Sequence, residues 1–318
     1  MVGAALSRSG LGRRTALGAT ALIVGANLPD LDALAYFDGP AADLEWRRGW
    51  SHGVLALAVL PFLLTGLLLL VQRWRSRAGR RPNRPGAEPA QLLLLSFIAI
   101  LSHPILDTLN SYGVRWLMPF SSRWFYGDTL FIVDPWVWLA LVLGLYFSRR
   151  RERLRRVRPA YPAQAALAAV TLYGGAMALS SIAAASIVAD EVSSRSGRSV
   201  EATMAGPVLL QPLVRRFVVQ QEEHYRVGTF RWMERPHVKQ AEVLTFPSER
   251  PAHPAVIGAV ESTVGRRFLG WARFPTFEIE QLGPLEYLIH IVDLRYARRP
   301  GDRFGTVSIP VKLEEGGR

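Results

Sequence analysis

Five side chains beside the apolar runs of the sequence stand out as able to do chemistry. Asp30 and Asp32 lie in Asn27-Leu28-Pro29-Asp30-Leu31-Asp32. His52 closes Arg48-Gly49-Trp50-Ser51-His52, and His103 and Asp107 share Ser102-His103-Pro104-Ile105-Leu106-Asp107. The spacing of His103 and Asp107 puts both on one face of a helix. Imidazoles with carboxylates are a donor set for a divalent ion. Two His and two or three Asp suit Zn²⁺ first, with Mn²⁺ or Fe²⁺ as further candidates, held as one ion or two. Such an ion lowers the pKa of a bound water and polarises a substrate oxygen, which is the chemistry of hydrolysis. Asp128 and Asp134 are the candidates to orient that water or act as general base. The chain has no cysteine. Disulfides, Cys-ligated zinc, iron–sulfur clusters and thiol catalysis are therefore excluded. Taken singly, each piece has an ordinary explanation: His-x-x-x-Asp is common, Asp-x-Asp after Pro is usually a turn or helix cap, and Asp134 before Pro135 suits an N-cap.

The elements that must position these residues are membrane spans. A bilayer core takes about 20 apolar residues as a helix. Gly53–Val71, Gln91–Leu106 (continuing to Leu109), Leu130–Ser148 and Ala163–Ala189 read as spans, and Thr15–Leu28 as a shorter first one. A cleavable twin-arginine signal is the rival reading of the first 28 residues. No small-residue cleavage site follows the apolar run, which leads straight into Asn27–Asp32, so the segment is expected to be retained.

Charge sets the expected orientation. The 318 residues carry a net charge of +12. Residues 1–162 hold 20 Arg, no Lys and 10 acids, whereas residues 163–318 are nearly balanced at +2. The excess is concentrated in loop 72–90 (Arg73, Arg75, Arg77, Arg80, Arg81 and Arg84) and loop 148–162 (seven Arg from Arg149 to Arg158), with Arg8, Arg13 and Arg14 near the start. Arginine clusters beside apolar runs fit the positive-inside rule better than a nucleic-acid face, so no nucleic acid is expected. Five spans in a bacterial-type cytoplasmic (inner) membrane put the N-terminus and all three clusters in the cytoplasm and the C-terminal segment outside. The candidate ligands then fall together at the outer ends of spans one to four. Charged groups at membrane depth are costly and tend to be functional. Trp46, Trp50, Trp116, Trp124, Trp136 and Trp138 read as an outer aromatic belt.

Residues after about 190 change character. Phe217–Val219, Tyr225–Trp232, Glu242–Phe246, Phe268–Phe274, Tyr287–Leu294 and Thr306–Val311 read as short strands between Pro/Gly turns, and Phe274–Glu280 alternates apolar and polar residues. Val192–Ala205 reads as a linker or helix extension. The expected architecture is an α-helical integral membrane domain of about five spans (residues 1–190), followed by a small, mostly β extracytoplasmic domain (191–318). His224, His237, His253 and His290 have no ligand spacing. Arg48 and Arg123 suit an anionic substrate group, although snorkelling to lipid headgroups is the more ordinary reading. There is no P-loop, dinucleotide fingerprint or Gly-x-Ser-x-Gly elbow.

The ordered set Pro-Asp-x-Asp, Arg-Gly-x-Ser-His, His-x-x-x-Asp-x-x-Asn-x-x-Gly and Asp-Pro resembles the YdjM/YbcI-type family of membrane-bound, metal-dependent hydrolases, also described as LexA-binding and inner-membrane-associated. The resemblance covers about residues 15–150 and is expected to extend over the C-terminal region. It implies metal binding at Asp30, Asp32, His52, His103 and Asp107, with Asn110 and Gly113 matching the downstream pattern. One departure is Arg47, where the family often has His. The helical His-x-x-x-Asp is also similar to a motif of zinc-dependent phospholipase C and related nucleases. An outward site at the lipid boundary favours an ester or phosphoester of a lipid-linked or envelope substrate. Membrane lipids are the expected partners, and nothing in the sequence identifies a protein partner. The alternative is a non-enzymatic protein with a structural metal and a partner-docking β domain. A transporter, which would spread polar residues through the membrane, ranks last.

Overall fold

The computed structural model describes residues 1–38, 44–77, 86–302 and 304–314. Arg80, Arg81 and Arg84 of the first arginine loop lie outside the described residues. The chain divides into two compact units, Met1–Ala35 with Trp46–Ala178, and Tyr36–Glu45 with Leu179–Arg318.

The first unit is helical: α1 (Val2–Arg8), α2 (Gly18–Gly25), a run of 3₁₀ turns (Leu28–Asp38), α3 (Val54–Arg77), α4 (Pro89–Thr108), α5 (Pro135–Arg153) and the start of α6 (Tyr161–Ser196). Among the described residues, α3, α4 and α6 are long and apolar enough to cross a bilayer. Leu63, Leu67 and Leu70 of α3 are each more than half exposed, as expected of a lipid-facing stripe. The opposite side of α3 contributes Leu64 and Leu68 to a core with Ala21 and Leu22 of α2 and Leu92, Leu95, Ala99 and Ile100 of α4. Thr65 donates to Ser96 across that interface at 3.3 Å, the kind of polar link that ties apolar helices together.

Two of the expected spans are shorter than the sequence suggests. Thr15–Leu28 yields only the eight-residue α2, about 12 Å long at 1.5 Å per residue. Leu17, at φ 62°, interrupts the backbone just before it. α1 and α2 form a tight hairpin in which a Cβ at Gly3 would overlap the Leu22 carbonyl. Arg8 and Arg13 at the turn end of this hairpin bind Glu152, whereas Met1 and Val2 line the same cavity as His103. The N-terminus, expected on the same side as the arginine clusters, lies instead at the histidine end of the helical unit.

Leu130–Ser148 becomes helical only at Pro135. There Asp134 caps α5 by accepting from the Trp136 and Val137 amides at 3.0 and 3.2 Å. The uncharged part, residues 135–148, is about 21 Å long, after which the helix continues through arginines to Arg153. Along α6, Leu167 and Val170 pack with Ala5, Leu141 and Leu145, while Ala184, Val188 and Val192 pack on a β-sheet. The long uncharged run 163–189 thus serves two environments. Gly144 permits close approach of α5 to α6, since a Cβ there would overlap Ala166 and lie 2.9 Å from the Pro162 carbonyl oxygen.

The second unit contains two antiparallel sheets, β1 (Ala202–Val208), β2 (Gln211–Gln221), β3 (His224–Arg231) and β4 (Leu244–Pro247) in sequential order, then β5 (Pro275–Gln281), β6 (Glu286–Asp293) and β7 (Thr306–Lys312). Alternate residues of β2 bury opposite faces. Phe217 and Val219 meet α6, and Val218 meets Phe274 and Leu294. Phe268–Phe274, expected as a strand, instead continues a helix pair, α7 (Pro254–Glu261) and α8 (Thr263–Trp271). Ser262 caps α8 by accepting from the Gly265 amide, and Gly265, Phe268 and Trp271 recur on its buried side at helical spacing.

Candidate metal centre

Three segments far apart in sequence meet at one end of the helical unit. The 3₁₀ run after α2 carries Asp30 and Asp32, the turn before α3 carries Arg48, Ser51 and His52, and the last turns of α4 carry His103 and Asp107. The helical prediction for His103 and Asp107 holds: Nε2 and Oδ2 face each other at 3.6 Å. His52 is fully buried, with its ring centroid 5.2 Å from that of His103.

The nitrogens of the two rings have separate jobs. His103 Nδ1 lies 2.8 Å from the Ala26 carbonyl, which can only accept, so Nδ1 carries the hydrogen. His52 Nδ1 lies 3.2 Å from Asp32 Oδ2 and 2.9 Å from Ser51 Oγ. Asp32 Oδ2 also accepts from the Arg48 amide at 2.7 Å and from Ser51 Oγ at 2.8 Å, which anchors it as the acceptor for this ring. In neutral rings both Nε2 atoms are then lone-pair donors. Each is buried and without a hydrogen-bond partner. Asp107 Oδ2 lies 3.4 Å from His52 Nε2, and Asp30 Oδ1 lies 3.4 Å from His103 Nε2. A lone pair set against a carboxylate is repulsive unless a proton or cation lies between them. Ligand atoms of Asp30, His52 and His103 all fall within 4.8 Å of one another, the one such group among the described residues.

Arg48 is built into this cluster rather than reaching for lipid. It is 8% exposed; its Nε lies 3.0 Å from Asp107 Oδ2 and its Nη1 donates to Asn110 Oδ1 at 2.8 Å. Its guanidinium also covers the Tyr112 ring at 4.7 Å. Asn110 Oδ1 accepts from the Tyr112 and Gly113 amides as well, and Gly113 takes φ 86° in that turn. Arg123 instead covers Phe125. Arg47, where the resembling family often has His, presents its carbonyl to Arg115 at 3.0 Å.

Asp134 and Asp128 have different placements. A cavity of about 190 Å³ beside His103 and Asp107 is lined by Asp134 and Asn110 on its polar side and by Phe131, Ile132, Val137 and Trp138 on its apolar side. Asp134 has both oxygens engaged: Oδ1 caps α5, and Oδ2 lies 3.4 Å from the Tyr173 hydroxyl. Asp128 is buried at φ 50° in the turn before Leu130 and does not line the cavity. Asp32 faces the Nδ1 side of His52, opposite the converging Nε2 atoms.

Ser51 and the Ala26 carbonyl are contributors that residue-type reasoning missed. Ser51 sits in the Arg-Gly-x-Ser-His string, but a backbone carbonyl leaves no residue-type signal. Of the expected aromatic belt, Trp46, Trp50, Trp136 and Trp138 are exposed, whereas Trp116 donates to Thr108 and Trp124 stacks on Tyr126. Three histidines of the β unit are engaged locally: His237 with the Arg231 carbonyl, His253 as the cap of α7, and His290 with Ser308 and Glu280.

Residues 1–187 match the family model described as YdjM inner membrane protein. The uncharacterized protein YfhP of Bacillus subtilis (strain 168) is 23% identical over 120 residues, which is 38% of this chain and 33% of that protein. The matched region thus spans about a third of that relative's length. No solved structure matches the chain.

Proposed function

The chain belongs to the YdjM inner membrane protein family, matched over residues 1–187, and from that premise we propose that it is a membrane-bound, metal-dependent hydrolase of ester or phosphoester bonds in a lipid or envelope substrate. The observation that carries the reading is the pair of buried, unpartnered Nε2 atoms on His52 and His103, turned toward the carboxylates of Asp107 and Asp30. With both imidazoles neutral, three aspartates and one arginine leave two negative charges, which a divalent cation would balance. His52, His103, Asp30 and Asp107 would hold the ion, and this mixed nitrogen and oxygen set suits Zn²⁺, with Mn²⁺ or Fe²⁺ as alternatives. A bound ion there would supply Lewis-acid polarisation of a substrate oxygen and acidify a water.

The chain's own residues prepare that chemistry. Asp32 and the Ala26 carbonyl fix the ring tautomers, as outer partners of metal-binding histidines commonly do. Arg48 holds Asp107 in place and adds positive charge beside an anionic substrate group. Asp134 lines the cavity, and its Oδ2, which accepts a long 3.4 Å contact from the Tyr173 hydroxyl, is the oxygen that would orient a water, while Asp128 would act through the turn it shapes.

Depth supports a lipid substrate. With the arginine end of the bundle in the cytoplasm, the uncharged length of α5 puts Asp134 about 21 Å from Arg149, against a hydrocarbon core of about 30 Å. The cavity then opens within the outer leaflet, and the C-terminal β unit lies outside the cytoplasm. The test is a panel of phospholipid and phosphoester substrates with and without chelator, alongside elemental analysis of the purified protein. Chelator-sensitive turnover lost in His103→Ala is expected. Metal content equal in the parent, His103→Ala and Asp107→Ala proteins would refute the site, and a bound ion without turnover would favour the structural-metal reading. A periplasmic-type reporter fused at the C-terminus is expected to be active, and activity of a cytoplasmic reporter there would refute the orientation.

A further inference from the structure

A second cavity, of about 460 Å³, opens at the arginine end of the helical unit between the end of α5 and the start of α6. Arg150, Arg151 and Arg156 line it together with Phe147, Leu154 and Tyr161. The turn that closes it is tied back to α5: Ser148 Oγ donates to the Pro159 carbonyl at 2.7 Å, and Arg151 Nη2 to the Val157 carbonyl at 2.8 Å. Glu152, the one acid in loop 148–162, is taken up by Arg8 and Arg13. Among the described residues no carboxylate pairs with Arg150, Arg151 or Arg156, and Arg151 Nε is buried without an acceptor.

A helix C-terminus favours cations, and a cytoplasmic loop favours arginine. Neither preference requires three guanidinium groups to line one cavity with an aromatic and aliphatic wall. We propose that this cavity binds the phosphate headgroup of an anionic phospholipid of the surrounding membrane, with the first part of its acyl region against Phe147 and Leu154. The charge supplies the match to phosphate. The apolar wall, at the level where the uncharged run of α5 gives way to Arg149, selects a lipid over a free ion. Basic pockets between membrane helices recognise such headgroups by the same combination.

Native mass spectrometry of the full chain, extracted from bilayers of phosphatidylcholine with and without phosphatidylglycerol, tests this. Retained phosphatidylglycerol is expected in the parent, reduced about tenfold in Arg150→Gln/Arg156→Gln. Arg149→Gln/Arg153→Gln removes the same charge from the loop without touching the cavity lining and is expected to change retention less than about twofold. Leu154→Trp keeps every arginine but fills the cavity, and it is expected to lose the lipid as well, which keeps the test decisive if the double glutamine variant fails to fold. Equal loss in the two glutamine pairs, full retention in Leu154→Trp, equal retention of phosphatidylcholine, or displacement by inorganic phosphate would each overturn the proposal.

Discussion

His52 and His103 converge on one carboxylate oxygen, Asp107 Oδ2, at 3.4 and 3.6 Å, although 51 residues separate them in the chain. One histidine belongs to a turn and the other to a helix, and Asp107 reaches both because it sits one helical turn beyond His103. This shared oxygen, with Asp30 on the open side, gives the bundle its candidate metal centre.

Asp32→Asn separates ligand from outer partner. The amide keeps the size of the side chain but weakens the hold on His52 Nδ1. Metal affinity should fall about 10–100-fold while the purified protein still binds metal at saturating concentration. Asp107→Ala should remove binding far more completely. Titration with Zn²⁺ followed by calorimetry measures both, and identical losses in the two variants would assign Asp32 to the ligand shell.

Gly144→Ala tests the packing of α5 on α6. The added methyl meets Ala166 and the Pro162 carbonyl, so the helices must separate. A cost of about 1–3 kcal/mol is expected from overpacking, read as a lower unfolding temperature in detergent. Gly66→Ala is the comparison, because a Cβ there meets nothing within 4 Å; an equal effect of both substitutions would contradict the close contact.

The β unit holds a fully buried ion pair, Asp293 with Arg295, at 2.7 Å. Arg295 also donates to the Trp271 carbonyl and lies over the Trp271 ring. Removing one partner leaves the other charge uncompensated, so Asp293→Ala should destabilise this unit by about 3–5 kcal/mol. Limited proteolysis within residues 202–312, compared with the parent, reports it. Unchanged protection would show that the pair is dispensable.

Burial pushes the Tyr225 hydroxyl up to about 12, with the negative charges of Asp293 and Glu201 adding to the effect. Its folded value lies above the unfolded one near 10, so the folded state holds the proton more tightly. Stability fully present below about pH 10 is then lost as pH rises toward about 12, to the extent of about 2–3 kcal/mol. Tyr225→Phe has no proton to lose and should flatten that part of the alkaline unfolding profile. Parallel profiles for parent and variant across this alkaline range would rule the effect out.

The sequence by itself identified the ligand candidates, the absence of thiol chemistry, the strongly apolar helices and the change to β structure near residue 200. These depend on residue type and short-range periodicity, which are local. The same local signals misjudged Thr15–Leu28, because apolar composition does not reveal that Leu17 leaves the helical region and that α1 folds back on α2. They misjudged residues 268–274 as well, since aromatic residues suit a strand and the buried face of a helix alike. For Arg48, composition offered lipid or substrate, and only packing placed it on Asp107. Tertiary structure alone decided which face of each imidazole is occupied: a backbone carbonyl from the end of α2 and a carboxylate from the 3₁₀ run turn both Nε2 atoms inward, a through-space relationship between segments that no linear spacing encodes.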